Sequence, residues 1–224
     1  MIAIAVVNSK GGVGKTTLAA ALAVRAARDS KLVAMVDLDP QKSLVEWWKR
    51  RGRTENPTIF EGVEAAADAV ERADMAGYEW CFLDGPPAFL TVLEEMVSAA
   101  DFTLIPVKPS VVDLLATEDA VVLARDAGAP FLCAFNDVGV QERVVEKARE
   151  VLSTNDIPIA DTQIVHRVSH ITGMNAGKSA AEVNGGRDTK AAEEIDRLWQ
   201  EVKAAATKAA RARRAKTARA VSHG

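Results

Sequence analysis

A glycine-rich stretch, Asn8-Ser9-Lys10-Gly11-Gly12-Val13-Gly14-Lys15-Thr16-Thr17, constrains this chain more than any other. The apolar run Ile2 to Val7 precedes it and an alanine-rich helical pattern from Thr17 to Arg28 follows it, the strand, loop, helix order a phosphate-binding loop requires. Gly11, Gly12 and Gly14 let the backbone turn tightly and aim its N–H groups inward, and a helix starting near Lys15 adds the positive end of its dipole. Residues Gly11, Gly12, Val13, Gly14, Lys15, Thr16 and Thr17 are therefore expected to cradle a nucleotide polyphosphate. Lys15 would reach the terminal phosphates and the Thr16 hydroxyl would bind Mg2+.

The general pattern G-x-x-x-x-G-K-[ST] calls for glycine where this chain has Ser9, and a second lysine, Lys10, follows. The loop thereby resembles the deviant Walker A motif, K-G-G-x-G-K-[ST], of the ParA/MinD family of ATPases. The resemblance implies a P-loop NTPase of α/β class, a mostly parallel twisted sheet with helices on both faces. It also implies that ATP and Mg2+ are bound and that Lys10 reaches across a dimer interface to the nucleotide of the other subunit.

Two further stretches fit that frame. Leu32 to Val36 is an apolar run ending in Asp37-Leu38-Asp39-Pro40-Gln41, and ligands of parallel sheets collect at the carboxyl ends of such strands. Paired carboxylates beside a phosphate site would repel it unless a metal or an attacking water needs them. By resemblance Asp39 is the catalytic residue that organises the water, and Asp37 supports Mg2+ or the loop; capping of the helix from Ser43 is the competing use. Glu79 to Asp84 is a hydrophobic strand ending in aspartate, followed by Gly85-Pro86-Pro87, a Walker B arrangement that places Asp84 near the metal. Farther on, Lys108-Pro109-Ser110 and Asp113 resemble the Pro-Ser-x-x-Asp turn of small ParF-like proteins, which lies at their dimer face. Asn136, closing the strand Phe131 to Phe135, matches an asparagine that contacts adenine in relatives.

The pattern gives helices over Ser43–Arg51, Val63–Ala76, Asp113–Ala127 and Val140–Leu152, strands over Phe102–Val107 and Ile157–Ile159, and ParF-like matches from 163 to 199. The four cations in Lys49-Arg50-Arg51-Gly52-Arg53 could contact DNA phosphate, but they are also what a helix C-terminus followed by its glycine cap favours, and that second reading is preferred. His166 and His170 could share a helix face, but no third ligand is near, so zinc is not expected.

At 224 residues and 48% hydrophobic, the chain suits one large α/β domain, taken as 1–202, with 203–224 as a basic alanine-rich helix or tail. The net charge of -3 gives no global reason for nucleic-acid binding, so any such activity must come from local clusters. Lys203, Lys208, Arg211, Arg213, Arg214, Lys216 and Arg219 form one, scattered round a helix whose filler is alanine. A membrane-lying helix needs large apolar side chains on one face, so this tail suits phosphate backbone better than lipid. No run of about 18 apolar residues exists for a membrane span. Met1-Ile2-Ala3-Ile4 opens directly into a strand, so neither a signal peptide nor a preceding DNA-reading domain is expected.

Cys81 and Cys133 lie in apolar runs and are expected to be buried, free and reduced in the cytoplasm. That argues against an electron-transfer iron protein, and a single tyrosine, Tyr78, argues against a tyrosine-kinase relative. The resemblance thus implies an ATPase that forms an ATP-bound homodimer, binds DNA nonspecifically at the nucleoid, avoids membrane, and partitions a plasmid or chromosome with a ParB-like adaptor. Positioning of a non-DNA cargo, such as a protein compartment or receptor cluster, uses the same machine; a MinD-like membrane-cycling regulator fits the tail less well.

Overall fold

The computed structural model describes residues 1–139, 142–185 and 189–221. Strands β1 (Ile2–Val6), β2 (Val33–Asp37), β3 (Thr58–Ile59), β4 (Trp80–Asp84), β5 (Phe102–Val107) and β6 (Phe131–Phe135) form one sheet in the order β3-β2-β4-β1-β5-β6. Every pairing between them is parallel. Helices are α1 (Lys15–Ala26), α2 (Ser43–Arg50), α3 (Ala66–Met75), α4 (Leu90–Ala99), α5 (Val111–Asp126), α6 (Glu142–Thr154), α7 (Val168–Asn175) and α8 (Thr189–Val221), with a 3-10 turn over Ala180–Gly185.

Alternate strand residues enter two cores. Ile4 and Val6 of β1 face α1, α2 and α8, whereas Ala3, Ala5 and Val7 face α3, α4, α5 and α6. Burial on both faces explains the near-continuous apolar strands of the sequence. Strand order reverses at β1, which lies between β4 and β5, so the crevice beyond its carboxyl end is where a ligand is received.

Helix boundaries differ by a few residues from the sequence expectation. Val140, the expected start of one helix, lies outside the described residues, and α6 begins at Glu142. Ile157–Ile159 is not a strand: it meets β6 only through a bridge between Cys133 and Ile159. Helices α4 and α7 have no counterpart in the sequence pattern, because Pro86-Pro87 precedes the start of one and Gly173 lies inside the other.

The basic helix is also more embedded than its composition suggests. Helix α8 runs unbroken through Val202, and Val202, Ala206, Ala209 and Ala210 are buried. Alanine on α8 meets an alanine-rich α1, so side chains too small to register as an apolar stripe still bury against the sheet. Arg213 extends this face, donating to the Ser98, Ala99 and Ala100 carbonyls and pairing with Asp101 at 3.6 Å. Among the described residues no helix is long and apolar enough to cross a membrane.

A close backbone contact lies at the end of α2. A Cβ on Gly177, whose φ is +66°, would sit 2.2 Å from the Arg51 amide nitrogen. Gly177→Ala is therefore expected to cost about 2 kcal/mol or more from left-handed strain plus overpacking. Denaturant melts check this.

Candidate active site at the glycine loop

The loop after β1 is held from both sides before any ligand arrives. Gly14 caps α1 in a left-handed conformation, φ 90°, and leaves no room for a side chain, since the Asn136 amide nitrogen would lie 2.2 Å from a Cβ there. That amide donates to the Val13 carbonyl at 2.7 Å. Asn8 is fully buried; its Nδ2 donates to the Pro106 carbonyl at 3.0 Å and to Thr117 Oγ1 at 3.3 Å, while its Oδ1 accepts from the Lys10 amide at 2.8 Å. Ser9, which replaces the expected glycine, donates through Oγ to Asp119 Oδ2 at 3.0 Å. The serine thus ties the loop to α5.

Lys15 curls back so that Nζ donates to the Lys10 carbonyl at 3.0 Å. Burial lowers its pKa, against the opposing pull of Asp84 and Asp39. A buried cation flanked by carboxylates at the N-terminus of a helix suits anionic oxygen.

The three aspartates divide their work. Asp84 ends β4 and is fully buried; neither of its oxygens has a well-formed hydrogen bond among the described residues, although the Thr16 hydroxyl lies close enough to favour its charge. Burial pushes this carboxyl up to about 8, reinforced by Asp37 and opposed by Thr16 and Lys15. Two orphaned carboxylate oxygens beside a hydroxyl match the hard oxygen donors Mg2+ takes, so the residues fit that ion. Asp37 does not fit as well. Its Oδ1 accepts from the Asp39 amide at 3.1 Å, and its Oδ2 accepts from the Leu44 and Val45 amides at 2.9 and 3.0 Å. With both oxygens on backbone N–H groups, Asp37 supports the loop and caps α2 instead of facing a metal. Asp39, half-buried, accepts from the Gln41 amide at 2.9 Å and lies near enough to Lys15 to influence it.

Lys10 points to its own chain, pairing with Asp113 Oδ1 on α5 at 2.5 Å. Ser110 caps that helix, accepting from the Asp113 amide, and its hydroxyl donates to the Asp113 carboxylate. Burial raises Asp113, but the bonds from Lys10 and Ser110 outweigh it and hold the carboxyl below its usual value.

A cavity of about 330 Å³ opens beside the loop, bounded by Gly12, Gly14, Asn136, His170, Ile171 and Met174. Asn136 thus borders this cavity while its amide nitrogen holds the loop. His166 does not share a helix with His170: it precedes α7 and pairs with Asp137 at 2.5 Å, which also pairs with Lys108 at 2.7 Å. No metal-binding group of three or more His, Cys, Asp or Glu occurs among the described residues. Cys81 and Cys133 are free and buried, and burial pushes both thiols up to about 12.

Residues 4–212 match the CobQ/CobB/MinD/ParA nucleotide binding domain. The chain belongs to this family. A Gloeobacter kilaueensis protein named maintenance of carboxysome distribution protein A is 31% identical over 218 residues, covering 88% of this chain and 95% of its own. A Halothiobacillus neapolitanus protein of the same name is 26% identical, covering 89% and 95%. Among solved structures, the septum site-determining protein MinD from Pyrococcus horikoshii, complexed with Mg-ADP, superposes with a TM-score of 0.72 at 21% identity, over 90% of this chain and 95% of that one.

Within this ParA/MinD frame, sequence reasoning missed the links from Asn8 and Ser9 to α5. A polar residue preceding a glycine loop carries no periodic signal, so only the fold reveals its partner. Asp84→Asn should stabilise the nucleotide-free protein. A carboxyl raised from 3.8 to about 8 binds its proton in the folded state while the unfolded chain has lost it, so its penalty grows from about pH 4 to about pH 8. The gain in melting temperature should accordingly be larger at about pH 8 than at about pH 5. Lys15→Ala should abolish ATP binding in calorimetry, since the buried cation is the loop's only internal positive side chain for phosphate.

Proposed function

We propose that this chain is an ATPase that dimerises around ATP and Mg2+, binds DNA without sequence preference in that state, and releases it after hydrolysis. The observation that carries the proposal is the ring formed by the glycine loop, the buried Lys15, and the orphaned Asp84 beside Thr16. Gly11, Gly12, Val13, Gly14, Thr16 and Thr17 would cradle the phosphates, with Thr16 and Asp84 holding the metal and Asn136 beside the base. Bound Mg2+ would supply charge neutralisation at the transferring phosphate. Asp39, at the carboxyl end of β2, orients the attacking water, and Lys10 exchanges its pairing with Asp113 for the partner subunit's nucleotide.

The cargo reading rests on relatives. Both relatives that match over nearly the full chain are named for carboxysome distribution, which favours positioning of a protein assembly. Plasmid or chromosome partition with a ParB-like adaptor is the second reading, supported by family membership. Imaging of the tagged chain against its cell's protein compartments and plasmids separates them.

Sorting the cations supports one location for the proposed DNA surface. Arg51 is paired with Glu182, Arg167 with Glu194, and Arg213 with Asp101 and helix-end carbonyls. Lys208 and Arg211 are exposed on one face of α8, beside Gln200, Ala204 and Thr207. We assign phosphate contact to this stripe. Removing everything after Val202 would also strip buried Ala206, Ala209 and Ala210, so side-chain changes are the cleaner test. Lys208→Ala with Arg211→Ala should weaken ATP-dependent DNA binding and lower the salt slope by about 2, whereas an unchanged slope would move the surface elsewhere. Asp39→Ala should keep ATP binding, stop turnover and accumulate dimers in sedimentation; an active variant would remove Asp39 from its role.

A further inference from the structure

One cluster of ionic and backbone contacts lies outside the loop yet touches both halves of the site. Helix α2 starts at the switch: its first N–H groups are held by Asp37, two residues before Asp39. Its other end is fastened to the segment after α7. Arg51 Nη1 and Nη2 donate to Glu182 Oε2 and Oε1 at 2.7 and 2.8 Å, a bidentate pair, and Nη1 also reaches the Gly177 carbonyl at 3.2 Å. Fully buried Trp47 donates Nε1 to the Lys178 carbonyl at 3.2 Å, and the Arg51 guanidinium lies over its ring, 5.4 Å from the centroid. Glu182 Oε2 further accepts from the Ser179 amide at 2.8 Å. Gly177 packs directly on the Arg50–Arg51 backbone, where no side chain would fit.

The segment so fastened continues back into α7, whose His170, Ile171 and Met174 form the wall of the cavity facing Gly12 and Gly14. A short helix of eight residues, anchored at both ends, behaves as a strut. We propose that Arg51 and Glu182 are positioning residues that lock the switch helix to the wall of the nucleobase cavity, so that engagement of the base and placement of the Asp39 loop are one event. This inference rests on the nucleotide-binding reading of the site. Neither residue borders the cavity. The geometry also explains why a bidentate arginine is used: a planar fork fixes orientation as well as distance, which one lysine contact would not do.

The test compares Mg-ATP with inorganic tripolyphosphate, which can occupy the loop but has no base. Glu182→Gln keeps side-chain volume and an acceptor for Ser179 while removing the ion pair; Arg51→Lys keeps the charge and removes the fork. Calorimetry on the full chain should show ATP binding weakened about tenfold in both variants with tripolyphosphate within about twofold of wild type. At saturating ATP, kcat should fall as well, because the same strut sets Asp39. Equal weakening of both ligands, no weakening of either, or a KM change with kcat untouched would each overturn the proposal. A wild-type chain that binds neither ligand would instead overturn the underlying nucleotide reading. Thermal melts identify a variant that fails to fold, and the other variant then carries the comparison.

Discussion

Backbone register between parallel strands is the constraint on which the rest of the site depends. Val6 of β1 is aligned with Asp84 of β4, and Asp84 with Asp37 of β2, so the three strand ends form a single row. A slip of one residue would turn each of these side chains to the opposite face of the sheet. The apolar strands on either side of the row, buried on both faces, prevent that slip. Carboxylates are thus held beside an anion-binding loop by packing they take no part in. Their mutual repulsion is tolerated because three backbone N–H donors stabilise the Asp37 carboxylate and burial raises Asp84.

Local polar links then translate the sheet's rigidity into a shaped loop. Asn136 from the end of β6 and Asn8 from the end of β1 hold the glycine turn at Val13 and at Lys10. The amide of Ala88, just after the Pro86-Pro87 pair, donates to the Ser9 carbonyl at 2.8 Å. The glycine loop therefore contacts both neighbouring strand ends directly. Any change in the position of one segment is felt by the others through hydrogen bonds of ordinary length.

Much of this was legible in the sequence because the signals are short and mechanical. A glycine turn between strand and helix, and aspartates at the ends of apolar strands, placed Lys15, Thr16, Asp39 and Asp84 in one region, and the fold brings their elements together. Less legible were features that depend on distant partners. Capping of α2 by Asp37 is local and was one of the two uses its spacing allowed, whereas the Lys10 pairing with Asp113 and the Arg51 pairing with Glu182 join residues far apart in the chain. The cluster Lys49 to Arg53 looked like a helix end, and Arg51 is at such an end; its ionic partner could not be read from spacing. For α8, counting apolar bulk concealed the buried alanines.

The close seating of α8 on α1 makes size, more than polarity, the quantity that matters along their contact. Ala19, Ala20 and Ala23 on one helix and Ala206 and Ala209 on the other belong to the same buried cluster. A homologue could exchange the charges on the outer face of α8 freely and still fold, but a single added methyl or two at the inner alanines would lever the helix outward. Along this contact α8 can therefore vary in charge and polarity while its volume profile stays nearly fixed.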